Sequence, residues 1–179
     1  MDWIAYSGPS TEDVDSILAR LAESCRFSVD TETVSLKDKR CIGIGIGMSP
    51  GEAFYFFVRP NRAPRLPWLL SLISDPNRTK VYHNATFDLE VLDKLALELG
   101  LPPPDDTNIA DTSLMARVQG LQGSLKGLAQ ELLGLDIQEV SDILEPRKTM
   151  LDVDPMTVAA KCVADCKATV ALDNYFADL

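Results

Sequence analysis

The sequence predicts an α/β fold: one mixed, five-stranded sheet, an antiparallel meander joined to parallel strands, flanked by helices. Three observations predict it. The runs "RFSVDTE", "RCIGIGIGM" and "EAFYFFV" are rich in β-branched and aromatic residues and follow one another closely, which favours an antiparallel meander. After residue 67 the chain alternates helical and strand patterns, which implies parallel strands packed beneath helices. Its 179 residues, 46% hydrophobic and 25% charged, suffice for one sizeable core, and one domain is expected over 1–179.

The elements follow in order. "SGPSTEDVDSILARLAESC" opens with an N-cap at Ser10, acidic residues in the first turn, and Val14, Ile17, Leu18 and Leu21 at helical spacing. The three strands come next, the last two separated by the turn signal "SPG". A proline- and arginine-rich connector, "RPNRAPRLP", leads to a helix at "WLLSLIS", a strand at "KVYH" and a helix at "ATFDLEVLDKLALELG". "LPPPDDTNIADTSLMARV" reads as a stiff loop, a short strand near Asn108 to Ala110, and a helix starting at Asp111 or Thr112. "SLKGLAQELLG" is a helix stopped by Gly134, "IQEVSDIL" a weaker helical pattern, and the last helix starts near Asp154.

Composition limits the function. No stretch reaches the roughly 18 to 20 apolar residues that span a bilayer, and the first residues lack a signal-peptide pattern, so a soluble, cytoplasmic protein without a membrane partner is expected. Cys25, Cys41, Cys162 and Cys166 show no CxxC pairing; they read as reduced structural residues, and zinc is not expected. Seventeen basic against 27 acidic side chains give a net charge of −10, which argues against tight, extended binding to a duplex.

Three places concentrate carboxylates at positions suited to chemistry. Asp30 and Glu32 lie two apart at a strand end, so both side chains share one face, an arrangement that a cation, a proton or an arginine must offset. Asn84 lies where "KVYH" passes into a helix and Asp88 one turn further on, at the end of a parallel strand where ligands gather. Asp165 sits at the edge of an apolar helical stripe, with Lys161 one turn before it. Each has a plain structural alternative: a solvated strand terminus, a helix cap, an exposed helix residue, a surface ion pair.

Taken together and in order, these segments resemble a known family. "FSVDTETVSLKDKRCIGIGIG", "HNATFDLEVL" and "CVADCKATVAL" are similar to the three exonuclease motifs of the DEDD superfamily of 3′-5′ exonucleases, and most similar to the proofreading domain of family A DNA polymerases. The resemblance implies a ribonuclease H-like fold and four metal-binding carboxylates, Asp30, Glu32, Asp88 and Asp165. It implies hydrolysis of the terminal phosphodiester with two Mg²⁺ or Mn²⁺ ions to release a nucleoside 5′-monophosphate. In that scheme Asp30 bridges the ions, Glu32 and Asp165 share the one carrying the water, and Asp88 serves the other. Substrate contacts are implied for Thr31, for Leu36 as a wedge against the terminal base, for Asn84, and for Phe87 beside the strand, all of which read no sequence.

One position departs from the family. Four residues before the last aspartate these enzymes carry tyrosine or histidine; here the residue is Lys161. Three readings compete: a neutral lysine that accepts a proton from the attacking water, a charged lysine at the scissile phosphate, or an ion pair with Asp165 that takes no part. His83 is a poor substitute base. The expected activity is 3′-5′ digestion of single-stranded or frayed DNA ends by a monomer, either free-standing or part of a DNA polymerase. Arg59, Arg62 and Arg65 in the connector read as a solvated loop first and as contacts to the backbone of such a strand second. An RNA exonuclease of ribonuclease D type and a catalytically weakened nucleic-acid-binding module are the alternatives.

Overall fold

The structure, a computed structural model, describes residues 5–6, 14–58 and 66–179. The cap expected at Ser10 and the connector with Arg59, Arg62 and Arg65 lie outside the described residues. Strands are β1 (Ala5–Tyr6), β2 (Arg26–Thr33), β3 (Cys41–Ser49), β4 (Glu52–Phe57), β5 (Thr79–Tyr82) and β6 (Ile109–Asp111). Helices are α1 (Val14–Glu23), α2 (Leu66–Ile73), α3 (Ala85–Glu98), α4 (Thr112–Val118), α5 (Leu125–Leu133), α6 (Val140–Ile143) and α7 (Pro155–Ala177), with a 3-10 turn at Met150–Asp152 before α7.

The sheet runs β1-β4-β3-β2-β5-β6. β2, β3 and β4 form the expected antiparallel meander, and β5 and β6 extend it in parallel from β2. The sixth strand, β1, adds two residues antiparallel to β4, too short a segment to show any periodicity. The "IQEVSDIL" pattern yields only the four residues of α6, started by a reciprocal cap between Glu139 and Asp142. Gly134 ends α5 in the left-handed conformation (φ 67°), as a C-terminal glycine does.

Alternation along the strands sorts side chains between two cores. Ile44, Ile46, Phe54 and Phe56 join Phe27 and Val29 on one face, where α1, α2 and α3 contribute Ile17, Leu21, Leu69, Val91 and Leu92. On the other face Ala53 and Tyr55 meet Val158, Ala159, Cys162 and Cys166 of α7. Asp154 caps α7 by accepting from the Thr157 backbone N–H, and Pro155 begins its first turn.

The glycines of "GIGIG" set how near α7 lies. They fall on its face of β3, directly across from the β2 residues of that face: Ser28 pairs with Gly47, Asp30 with Gly45, Glu32 with Gly43. A Cβ on Gly45 would sit 2.6 Å from both the Cys162 and Cys166 sulfurs. One on Gly47 would sit 2.4 Å from Ser28 Oγ and 2.9 Å from the Cys166 backbone oxygen. Backbone approaches side chain and backbone here at distances that only glycine permits. Gly47→Ala must therefore push α7 outward, at a cost of about 1 to 3 kcal/mol for overpacking. A thermal melt checks this: a fall in Tm is expected, and an unchanged Tm contradicts the close approach.

Candidate active site

β2 delivers Asp30 and Glu32 to the α7 side of the sheet, and a β-bulge just beyond, between Glu32 and Thr33, ends the regular pairing with β3. Their cross-strand neighbours are Gly45 and Gly43, whose faces are covered by the Cys162 and Cys166 sulfurs and by the Tyr55 ring. The Cys162 thiol donates to Asp30 Oδ2 at 3.1 Å. Cys162, expected to be purely structural, is thus a neighbour of the carboxylates. Donor atoms of Asp30, Glu32 and Cys162 lie within 4.8 Å of one another.

Asp88 reaches the same strand end from α3. Its Oδ1 accepts from both the backbone N–H (2.8 Å) and the hydroxyl (2.7 Å) of Thr31, which fixes its orientation between Asp30 and Glu32 along the chain. Thr31 is buried, and its hydroxyl is committed to this carboxylate. The turn that places Asp88 depends on Asp111, expected only as a start of α4. Asn84 occupies the N-cap position of α3 with φ 72° and makes no side-chain cap. Asp111, at the end of β6, caps instead: its carboxylate accepts from the backbone N–H of Asn84 (3.1 Å) and Ala85 (2.8 Å) and from Ser113 (2.8 Å) of its own helix. One aspartate therefore caps α3 and α4 together. The sequence shows it as a cap for α4 alone, since its second helix is 26 residues away.

α7 brings Lys161 and Asp165. Lys161 Nζ donates to Asp165 Oδ2 at 2.6 Å and to Glu32 Oε1 at 3.0 Å, and the residue is 7% exposed. The i,i+4 contact with Asp165 is present, but the lysine faces the carboxylates and not solvent. An ammonium bridging two buried carboxylates is held by charge-assisted hydrogen bonds on both sides.

Electrostatics follow from that geometry. Burial pushes the Asp30 carboxyl well up, and the charges of Asp88, Asp165 and Glu32 push it further, with Lys161 opposing. Burial raises Asp88 to about 7 despite the hydrogen bonds from Thr31, which favour its charged form. Glu32 and Asp165 are raised by burial, with Lys161 pulling both down. Burial works against the charge on Lys161, yet the attraction of Glu32, Asp165 and Asp30 prevails and raises its pKa, so the lysine is an ammonium.

Four carboxylates facing one ammonium leave surplus negative charge on hard oxygen donors, the environment that suits Mg²⁺ or Mn²⁺. The Asp30 and Glu32 carboxylates lie close enough to share an ion, and the charge of Asp88 acts on Asp30 from α3. Glu32 and Asp165 each already give one oxygen to the Lys161 ammonium, which an ion bridging the two carboxylates has to share or displace. The residues expected at a substrate are spread around this cluster. Leu36 is 82% exposed in the loop after β2. Phe87 is partly buried on α3 with Lys39 Nζ 5.1 Å from its ring centroid, and Asn84 is exposed. His83 Nδ1 lies 2.8 Å from the Thr112 hydroxyl, and burial lowers its pKa; it ties β5 to α4.

A mixed sheet of this order, with acidic residues at the end of its central strand, defines the ribonuclease H-like class of exonuclease folds. Solved structures show the same fold: Brucella melitensis NrnC (TM-score 0.66, 20% identical, covering 87% of this chain and 74% of that one) and Escherichia coli RNase D (TM-score 0.64, 19% identical, covering 91% and 41%). Among curated proteins, DNA polymerase I of Chloroflexus aurantiacus is 29% identical over 122 residues, 63% of this chain and 12% of that protein. The alignment thus spans about an eighth of that relative's length. A 3′-5′ exonuclease family model of the DNA polymerase A type matches residues 9–178, and the chain belongs to that family of 3′-5′ exonucleases. Among the described residues no helix is long and apolar enough to cross a membrane.

The raised Asp88 carboxyl makes stability depend on pH. With an unfolded value of 3.8 and a folded value of about 7, the folded chain keeps a proton that the unfolded chain has released between those limits. The contribution of Asp88 is thus most favourable at low pH and declines as pH rises toward neutrality. Asp88→Asn keeps an acceptor for Thr31 and never ionises. In chelator, the variant is expected to match wild type near pH 4 and to exceed its unfolding free energy by more than about 1 kcal/mol at neutral pH. Urea melts across this range check it, and a pH-independent difference excludes a raised Asp88.

Proposed function

We propose that this protein removes nucleoside 5′-monophosphates one at a time from the 3′ end of single-stranded or frayed DNA, in a reaction that needs Mg²⁺ or Mn²⁺ and serves proofreading. The observation that carries the reading is the meeting of Asp30, Glu32, Asp88 and Asp165, from β2, α3 and α7, around one strand end in a member of this exonuclease family. Bound divalent ions supply charge neutralisation at the phosphate and a water acidic enough to attack it. The chain's own residues orient the parts. Thr31 sets the rotamer of Asp88 and acts as a positioning residue. Lys161 brings a fixed positive charge beside Glu32 and Asp165, where charge develops on the phosphate oxygens. Holding two ions, as the resemblance implies, sets the second ion in competition with Lys161 for those carboxylates.

Leu36 projects from its loop as an apolar group free to wedge against a terminal base, and Phe87 offers part of a ring to stacking. Neither selects a sequence. A net charge of −10 suits a short footprint of a few phosphates and not a long duplex track. The DNA polymerase I similarity favours DNA, and a polymerase, in the same chain or another, as the functional partner.

Labelled single strands of DNA and RNA with identical sequence test this in parallel with Mn²⁺. Mononucleotide release from DNA, faster than from RNA, is expected. Loss of one ligand that stabilises the transition state by several kcal/mol predicts at least about a 100-fold lower rate for Asp30→Ala. Faster release from RNA overturns the substrate assignment, and an Asp30→Ala rate equal to wild type overturns the site.

A further inference from the structure

We propose that the Lys161 ammonium is itself one of the cations of this site, occupying the position between Glu32 and Asp165, so that the folded protein holds one divalent ion tightly, beside Asp30 and Asp88, instead of two. This rests on the exonuclease reading above, because it concerns the same carboxylates. Three observations carry it.

The first is contact. Nζ lies 3.0 Å from Glu32 Oε1 and 2.6 Å from Asp165 Oδ2, so one ammonium links a carboxylate of β2 to one of α7. The second is constraint. Lys161 is 7% exposed, and its neighbour Cys162 packs against Gly45 of β3, so the face of α7 that carries the lysine is held toward the sheet. The third is exclusion. A divalent ion takes carboxylate oxygens at roughly 2.0 to 2.6 Å. Nζ already draws on one oxygen of each carboxylate, so an ion that bridges Glu32 and Asp165 has to share them with the ammonium or take its place.

A second ion therefore competes with the ammonium for these carboxylates, and displacing it requires a place for the lysine to go. The structure offers it a place: a cavity of about 330 Å³ beside the site, lined by Lys161 and Asp165 with Ser124, Lys126, Glu139 and Ser141. Glu139 supplies a carboxylate there. Displacement makes the second ion weaker without forbidding it. The built-in cation also lessens the need for metal as a counter-charge in the folded state, since Glu32 and Asp165 are already paired.

Counting Mn²⁺ on the full chain by equilibrium dialysis and electron paramagnetic resonance tests the inference. Wild type is compared with Lys161→Met, which keeps most of the stem without the charge, and with Lys161→Tyr. Wild type is expected to bind one Mn²⁺ with a second at least about 10-fold weaker, and both variants to bind two with similar affinity. In melting experiments Mn²⁺ is expected to raise the Tm of Lys161→Met above its value in chelator by more than it raises that of wild type. If wild type binds two ions as tightly as the variants, the inference fails while nucleotide release leaves the exonuclease reading standing. If no chain binds Mn²⁺ and none releases nucleotides, both fail. Should Lys161→Met not fold, the Lys161→Tyr stoichiometry decides alone.

Discussion

The close approach of α7 to the sheet is the constraint on which the rest of this structure depends. Gly43, Gly45 and Gly47 leave one face of β3 bare, directly beside Ser28, Asp30 and Glu32 on β2. Tyr55 covers Gly43, and Cys162 and Cys166 of α7 cover Gly45 and Gly47. The consequence for chemistry is direct, since Lys161 and Asp165 lie on the same helix as those cysteines and reach Glu32 only because the helix is this near. Packing and site are therefore one feature, and the alternate Ile44 and Ile46 on the opposite face show how a single strand serves a dense core and a close contact together.

Charge is the second organising force. Four carboxylates drawn into a largely buried cluster oppose folding unless something offsets them. Lys161 does so for Glu32 and Asp165, and Thr31 does so for Asp88 through two hydrogen bonds. Asp30 is left with the neighbours that raise its pKa most, and with a thiol as its donor. The uneven distribution gives Glu32 and Asp165 a cation in direct contact, while Lys161 acts on Asp30 only through space.

Much of the candidate site was legible because it lies in short stretches with a fixed local period. Asp30 and Glu32 share a face by strand geometry, and Lys161 and Asp165 share one by helical spacing. The family resemblance put the three stretches together, and family membership supports that grouping. What local period could not show was the environment of each residue. Cys162 read as core, yet it donates to Asp30. Thr31 carries a hydrogen-bonding role toward Asp88 that its place in the strand does not announce. Asn84 read as a substrate contact or a cap, yet Asp111 makes the cap and Asn84 takes a left-handed turn. Each difference arises from a partner distant in sequence.

By itself the sequence determined the α/β class, the meander followed by parallel strands, the order of the helices and the positions of the acidic residues, since all of these rest on periodicity, capping and turn chemistry within about 20 residues. Only the tertiary structure decided that Lys161 reaches across to Glu32, 129 positions earlier, as well as to its neighbour Asp165. The physical reason is that spacing along a helix fixes which face a side chain occupies, whereas the partner it finds there depends on how near two separate elements are allowed to pack.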